Sequence, residues 1–250
     1  MTELVHLQVE SGVAEITLDS VPNRNALSAQ LMTELAAHLH AAASNSLVRS
    51  VVLKHTSSTF CSGADLSGSS GPGADMAQLV VLLRDFLECP KPIVACIDGH
   101  VRGGGLGLVA ACDIAVASPA SSFALSEVRL GVAAAIISLT VLPRLSSRGA
   151  SKYFLTGDRF AAEDAERIGL ITASEEFPLG AIEKFTDSFR ASSPAALAST
   201  KRLLSGPVLL AFDAQQEAMS ELSAQLFGGE EAKEGIAAFK ERRTPTWAEL

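Results

Sequence analysis

The sequence is poor in the residues that would place it in several large classes of protein. Its 250 residues include four cysteines, Cys61, Cys89, Cys96 and Cys112, with no Cys-x-x-Cys spacing. Neither a zinc cluster nor a disulfide framework is therefore written into the chain, and a protein this long does not need one to fold. Reduced, buried thiols are expected, and nothing local marks Cys61 as a nucleophile. The five histidines do not cluster; His38 and His40, two apart on a predicted helix, project from different faces, so no metal site is expected. Tyrosine and tryptophan occur once each, as Tyr153 and Trp247. Positive charge is also short: 20 Lys and Arg against 28 Asp and Glu leave −8 at pH 7. That is the wrong sign for gripping nucleic-acid or lipid phosphates. The most apolar stretches, such as Leu79–Leu83 and Ile93–Ile97, fall far short of the roughly 20 residues of a membrane span. The first ten residues alternate like a strand and lack the basic flank and apolar core of a signal peptide. A cytoplasmic protein without nucleic-acid or membrane partners is expected.

What is present begins with β structure. Residues 4–10 and 13–19 alternate apolar and polar positions around Ser11-Gly12, which predicts an antiparallel hairpin. After a loop at Pro22–Asn25, Ser28 is a good N-cap for a helix carrying Leu31, Leu35 and Leu39 through about Ala43. Val51–Leu53 reads as a short buried strand. Residues 57–73 read as a long loop of the kind that is often functional. Its Gly/Ser-rich half, Ser67–Gly73, resembles a surface tether, whereas Phe60–Leu66 is not low-complexity. A helix near 75–88, a strand at 92–97, a tight turn and a buried helix starting at the Gly103–Gly105 run lead to the apolar strand Ile114–Ala117. Beyond about residue 140 the pattern is helical, near 145–156, 161–168, 179–191, 194–205 and 208–226. The expected organisation is an α/β core of β-β-α units over 1–190 and a helical region over 191–250 in the same unit, since no Pro/Gly linker separates them.

Three segments carry chemistry. Gly103-Gly104-Gly105 at a helix start leaves backbone N–H groups without intrahelical acceptors, reinforced by the helix dipole, which favours an anion; close helix packing is the alternative reason for such glycines. The spacing is not G-x-G-x-x-G, which rejects a dinucleotide site. Phe60–Leu66 can offer the N–H of Ala64 to the same space. Two such donors form an oxyanion hole, each worth on the order of 3 kcal/mol where negative charge develops. Phe123–Gly131 places Glu127 in apolar surroundings, where desolvation would raise its pKa into the range of a proton-transfer group. Pairing with Arg129 in a solvated loop is the alternative for Glu127 taken alone.

Together these residues resemble the crotonase, or enoyl-CoA hydratase/isomerase, superfamily. Asn23–Leu27, Phe60–Leu66, Asp98-Gly with Gly103–Gly105 and Ala111–Ile114, Phe123–Glu127 with Leu130-Gly131, Leu155–Gly157 with Ala165 and Gly169-Leu170, and Glu234-Gly with Ala238-Phe239 occur in family order. The resemblance implies an α/β fold, a spiral of β-β-α units with an α-helical C-terminal region that assembles homotrimers, commonly as a dimer of trimers. It implies that the N–H groups of Ala64 and Gly104 hold a thioester oxygen and that Glu127 is catalytic. The backbone around Ser62, Ala64 and Leu66 would receive the adenine end of CoA, Gly103 would border the acyl-CoA ester, and Arg24 would meet a phosphate. No separate cofactor is implied, because coenzyme A is part of the substrate.

The activity implied is addition of water across the 2,3 double bond of an enoyl-CoA by a single glutamate. Two-carboxylate relatives carry a second glutamate where this chain has Gly107. Lacking a side chain there, the pocket is expected to have room for a branched, methylglutaconyl-type acyl group. Arg102 is a candidate for a substrate carboxylate and His100 for a second proton carrier, each with an ordinary structural role as the alternative. Gly131–Ile137 departs from the family pattern and puts acyl-pocket shape in question. Alternatives to hydration are enoyl-CoA isomerisation, an aryl-CoA hydratase-lyase needing Tyr153 or Trp247, and non-catalytic acyl-CoA binding.

Overall fold

A computed structural model of the chain describes residues 2–66 and 75–248; the expected tether, Ser67–Gly73, lies outside the described residues. The chain opens with the expected hairpin, β1 (Val5–Glu10) paired antiparallel to β2 (Val13–Leu18). Ser11 and Gly12 both take positive φ at the turn, the geometry whose twist matches that of the flanking strands. Helix α1 (Ala29–Ser44) follows, with the Ser28 hydroxyl accepting from the Leu31 N–H at 3.3 Å.

Three β-β-α units come next. In each, one strand joins a large sheet and the next joins a small one before a helix returns. The units are β3 (Ser50–His55), β4 (Thr59–Cys61) and α2 (Met76–Glu88); β5 (Ile93–Ile97), β6 (His100–Arg102) and α3 (Gly104–Ala111); and β7 (Ile114–Ala117), β8 (Ser122–Ala124) and α4 (Ala135–Val141). The remaining elements are α5 (Ser147–Thr156), β9 (Arg159–Ala161), α6 (Ala162–Arg167), β10 (Ala173–Ser174), α7 (Pro178–Arg190), α8 (Pro194–Phe227) and α9 (Glu230–Glu241). The large sheet runs β1-β2-β3-β5-β7-β10 and is parallel from β2 onward; the small sheet runs β4-β6-β8-β9, with only β9 antiparallel.

Side-chain alternation explains why the large sheet is covered on both faces. Val51, Leu53, Ile93, Ala95 and Ile97 point into the main core, with α1, α2 and α3. Their neighbours Val52, Val94, Cys96 and Val116 form a second cluster with Ile182 of α7. Every residue of α3 is buried, as befits a helix that is apolar on all sides. Among the described residues no helix is long and apolar enough to cross a membrane, and no His/Cys/Asp/Glu group is disposed to hold a metal ion.

Two expectations need correction. The loop at 57–73 and the turn after residue 97 contain β4 and β6, and the region beyond 140 contains β9 and β10; strands of two or three residues carry too little alternation to be recognised. The helices expected at 194–205 and 208–226 are one helix, α8, running through Pro207. The Leu203 carbonyl that Pro207 cannot serve belongs to an exposed residue, so water can satisfy it. Both halves of α8 are also anchored, one through Lys201 and the other through Phe212. Buried Lys201 Nζ donates to the Phe86 and Lys91 carbonyls at 3.0 and 3.1 Å and pairs with Asp113 at 2.8 Å. Asp113 in turn accepts from the Ile93 N–H at 2.7 Å. Removing one partner of such a buried pair leaves the other charge uncompensated. Lys201→Ala is therefore expected to lower unfolding free energy by about 3–5 kcal/mol in urea titration.

Candidate active site

Because β4, β6 and β8 are parallel neighbours, the segments that follow them, Ser62–Leu66, Gly103-Gly104 and Ser126-Glu127, emerge side by side at one edge of the small sheet. The Asn23–Leu27 loop is laced to the first of these. The Ser62 N–H donates to the Arg24 carbonyl at 3.1 Å, the Leu27 N–H donates to the Gly63 carbonyl at 2.8 Å, and the Ser62 hydroxyl donates to the Asn23 carbonyl at 3.0 Å. Buried Asn25 fixes the loop from within, accepting from the Ser20 N–H at 2.6 Å and donating to the Thr59 carbonyl at 2.8 Å. This explains the Asn-x-Asn-Ala-Leu segment as structural wiring for the site.

A cavity of about 480 Å³ opens at this edge, and Arg24, Ser62, Ala64, Leu66, Gly103, Gly104 and Glu127 all line it. Gly104 begins α3 and Ala64 bridges Leu27. Neither N–H has a protein acceptor among the described residues. Gly103 takes φ +48°, and a Cβ there would lie 3.2 Å from Glu127 Oε1, so the glycine both makes the turn and lets the carboxyl lie against it. The far wall comes from Val132–Ile137 in and before α4, the run that the sequence tied to acyl-pocket shape, and from three residues that the sequence did not tie to the pocket: Phe227 at the end of α8, and Ala238 and Phe239 of α9.

Glu127 is the one carboxylate among the described lining residues. Its Oε2 is shut off from solvent and has no hydrogen-bond partner among the described residues. Desolvation pushes its pKa up from 4.5 to about 7, opposed only by its own backbone N–H. Arg129 does not pair with it; that guanidinium donates to the Thr156 carbonyl and to Asp158. Arg24 is exposed at the cavity mouth with a left-handed backbone.

Of the other candidates, Arg102 lines the cavity, but its guanidinium is engaged elsewhere. The Arg102 guanidinium donates to the Val101 and Ser122 carbonyls at 2.8 and 2.6 Å and to the Ser122 hydroxyl at 2.8 Å, a structural set. His100 Nδ1 meets the Ser122 hydroxyl at 2.9 Å, and His100, Tyr153 and Trp247 do not line the cavity. The four cysteines are unpaired and buried, and burial pushes the Cys61 thiol up to about 12, the opposite of an activated nucleophile.

Gly107 also departs from expectation, since it does not line the cavity. A Cβ at 107 would lie 2.7 Å from Ile137 Cγ2 and 3.1 Å from Ile137 Cβ. The missing side chain therefore opens no room for a branched acyl group, because Ile137 already fills that volume. Gly107→Ala is expected to overpack this contact and lower stability by about 1–3 kcal/mol, read from a denaturant midpoint shift at unchanged slope.

The chain is similar to known proteins over nearly its whole length. The family described as enoyl-CoA hydratase/isomerase matches residues 8–249. The (E)-benzylidenesuccinyl-CoA hydratase of Thauera aromatica is 31% identical, covering 97% of this chain and 98% of that protein. The 2,3-dehydroadipyl-CoA hydratase of Escherichia coli is 30% identical over 98% of each. Among solved structures, an enoyl-CoA hydratase from Mycobacterium avium is similar with a TM-score of 0.93 and 48% identity, covering 99% of this chain and all of that one (100%). The chain belongs to the enoyl-CoA hydratase/isomerase family and has its mixed α/β fold of β-β-α units with C-terminal helices.

Proposed function

We propose that this protein is an enoyl-CoA hydratase that works with Glu127 as its single proton-transfer group. The observation that carries the reading is the isolated, buried Glu127 carboxyl in a cavity that is also lined by two residues with unengaged backbone donors, Ala64 and Gly104. The N–H groups of Ala64 and Gly104 polarise the thioester carbonyl. Water attacks C3 while the Glu127 carboxylate takes its proton, and the C2=C3 electron pair moves toward the carbonyl to give an enolate held by the two donors. The same carboxyl then returns its proton to C2, which completes the addition of H₂O. A group poised near neutrality both accepts and donates without a large penalty in either direction.

Arg24 meets a CoA phosphate, the backbone of Ser62, Ala64 and Leu66 receives the adenine end, and Gly103 borders the thioester. No cofactor beyond the CoA of the substrate is invoked. Exposed Leu203, Leu204 and Leu210 on α8 support self-association as a homotrimer or dimer of trimers, and four unpaired thiols support a cytoplasmic setting. A methylglutaconyl-type ester, branched at C3, would need space beside Gly107 that Ile137 fills.

The test is loss of conjugated enoyl-thioester absorbance with crotonyl-CoA and methylglutaconyl-CoA. Glu127→Gln is expected to lower kcat by about 10²–10⁴-fold while leaving the affinity for a saturated acyl-CoA within a few-fold, because a proton carrier acts in the transition state. Hydration needs the ionised carboxylate in the free enzyme, so kcat/KM is expected to fall as pH drops below about 7. A lone carboxylate in the cavity also fits isomerisation of a 3-enoyl to a 2-enoyl ester. That activity would instead produce a gain of conjugated absorbance.

A further inference from the structure

Helices α3 and α4 are locked in register, because the Thr140 hydroxyl donates to the Gly107 carbonyl at 3.1 Å. Ile137, one turn earlier on α4, is thereby set against the bare Cα of Gly107, with Leu83 behind, its Cδ2 3.5 Å from where a Cβ at 107 would lie. Ile137 is buried, at 4% exposure, and lines the cavity, whereas Gly107 does not. The wall on this side is thus an isoleucine side chain in place of anything projecting from α3. Being β-branched and packed against a helix, it has little freedom to yield. Gly107 lies three residues past Gly104, or about 4.5 Å along the helix axis. A thioester oxygen held at Gly104, with the acyl chain running along α3, would bring C3 beside this turn.

The geometry points to Ile137 as a specificity-determining residue that limits bulk at C3 of the acyl chain and so selects straight over C3-branched CoA esters. The inference rests on the cavity being the acyl-CoA site. It follows from one volume being claimed twice: a methyl branch at C3 and the Ile137 side chain compete for the space beside Gly107. A single methyl misfit in an apolar pocket is worth about 10–200-fold in discrimination.

Butyryl-CoA and isovaleryl-CoA differ by one methyl at C3 and are not turned over by hydration, which makes them suitable calorimetric probes of the full-length protein. Wild type is expected to bind butyryl-CoA at least about tenfold more tightly. Ile137→Ala should reduce that ratio to about threefold or less, and Ile137→Val, which removes one methyl and is expected to fold, to an intermediate value. A ratio that is the same in wild type and Ile137→Val, or a wild type that prefers isovaleryl-CoA, overturns the inference. If wild type binds both esters with the expected ratio shift but does not hydrate crotonyl-CoA, the hydratase reading fails and the role of Ile137 stands. If it binds neither ester, both fail.

Discussion

Three parallel strands of three residues each hold this site together. β4, β6 and β8 bury Phe60, Val101 and Phe123 on their inner side, and their pairing brings segments that begin at residues 62, 103 and 126 to a common edge. Each strand is too short to be stable alone. Each is continuous with a longer strand of the large sheet through a brief connection, so the large sheet and its two-sided core position the small one. The donors at Ala64 and Gly104 and the carboxyl of Glu127 are therefore on backbone whose geometry is set by the whole fold.

Against that rigid frame, the electrostatics of Glu127 are unusual. Other buried or half-buried ionic groups have partners, as Lys201 has Asp113, Arg84 has Glu88 and Asp213, and Arg102 has the Val101 and Ser122 carbonyls. Glu127 has no such partner, and the rise of its pKa from 4.5 to about 7 corresponds to about 3 kcal/mol of penalty on the ionised form. A residue kept for stability would be replaced or paired. A carboxyl left uncompensated beside a cavity is instead what proton transfer near neutral pH requires. The apolar wall of Ile137 on the Gly107 side belongs to the same design, since it leaves Glu127 without a carboxylate neighbour that would shift its titration further.

Much of this was legible in the sequence, for identifiable reasons. The hairpin, α1, β5 and β7 announce themselves through alternation, an N-cap and apolar runs whose partners are near in sequence or whose burial is complete. The site segments were legible as motifs, and their convergence was not, because it depends on β4 and β6, which carry no periodic signal. Pro207 looked like a helix end because local propensity ignores the anchoring of Lys201 and Phe212 on either side. The largest misjudgement concerned Gly107. Thirty residues separate it from Ile137, and a glycine read from sequence as empty space is, in the folded chain, space already taken. Whether Glu127 faced Arg129 or stood alone was likewise undecidable until Asp158 and the Thr156 carbonyl were seen to engage that arginine.

The central claim is that Glu127 is protonated and ionised in comparable amounts at neutral pH because nothing in the fold compensates its charge. A ¹³C NMR titration of the glutamate side-chain carboxyls, with the Glu127 signal assigned by its absence in Glu127→Gln, measures this without reference to any substrate. A midpoint near 7 is expected; a midpoint near the ordinary glutamate value of about 4.3 would contradict the account.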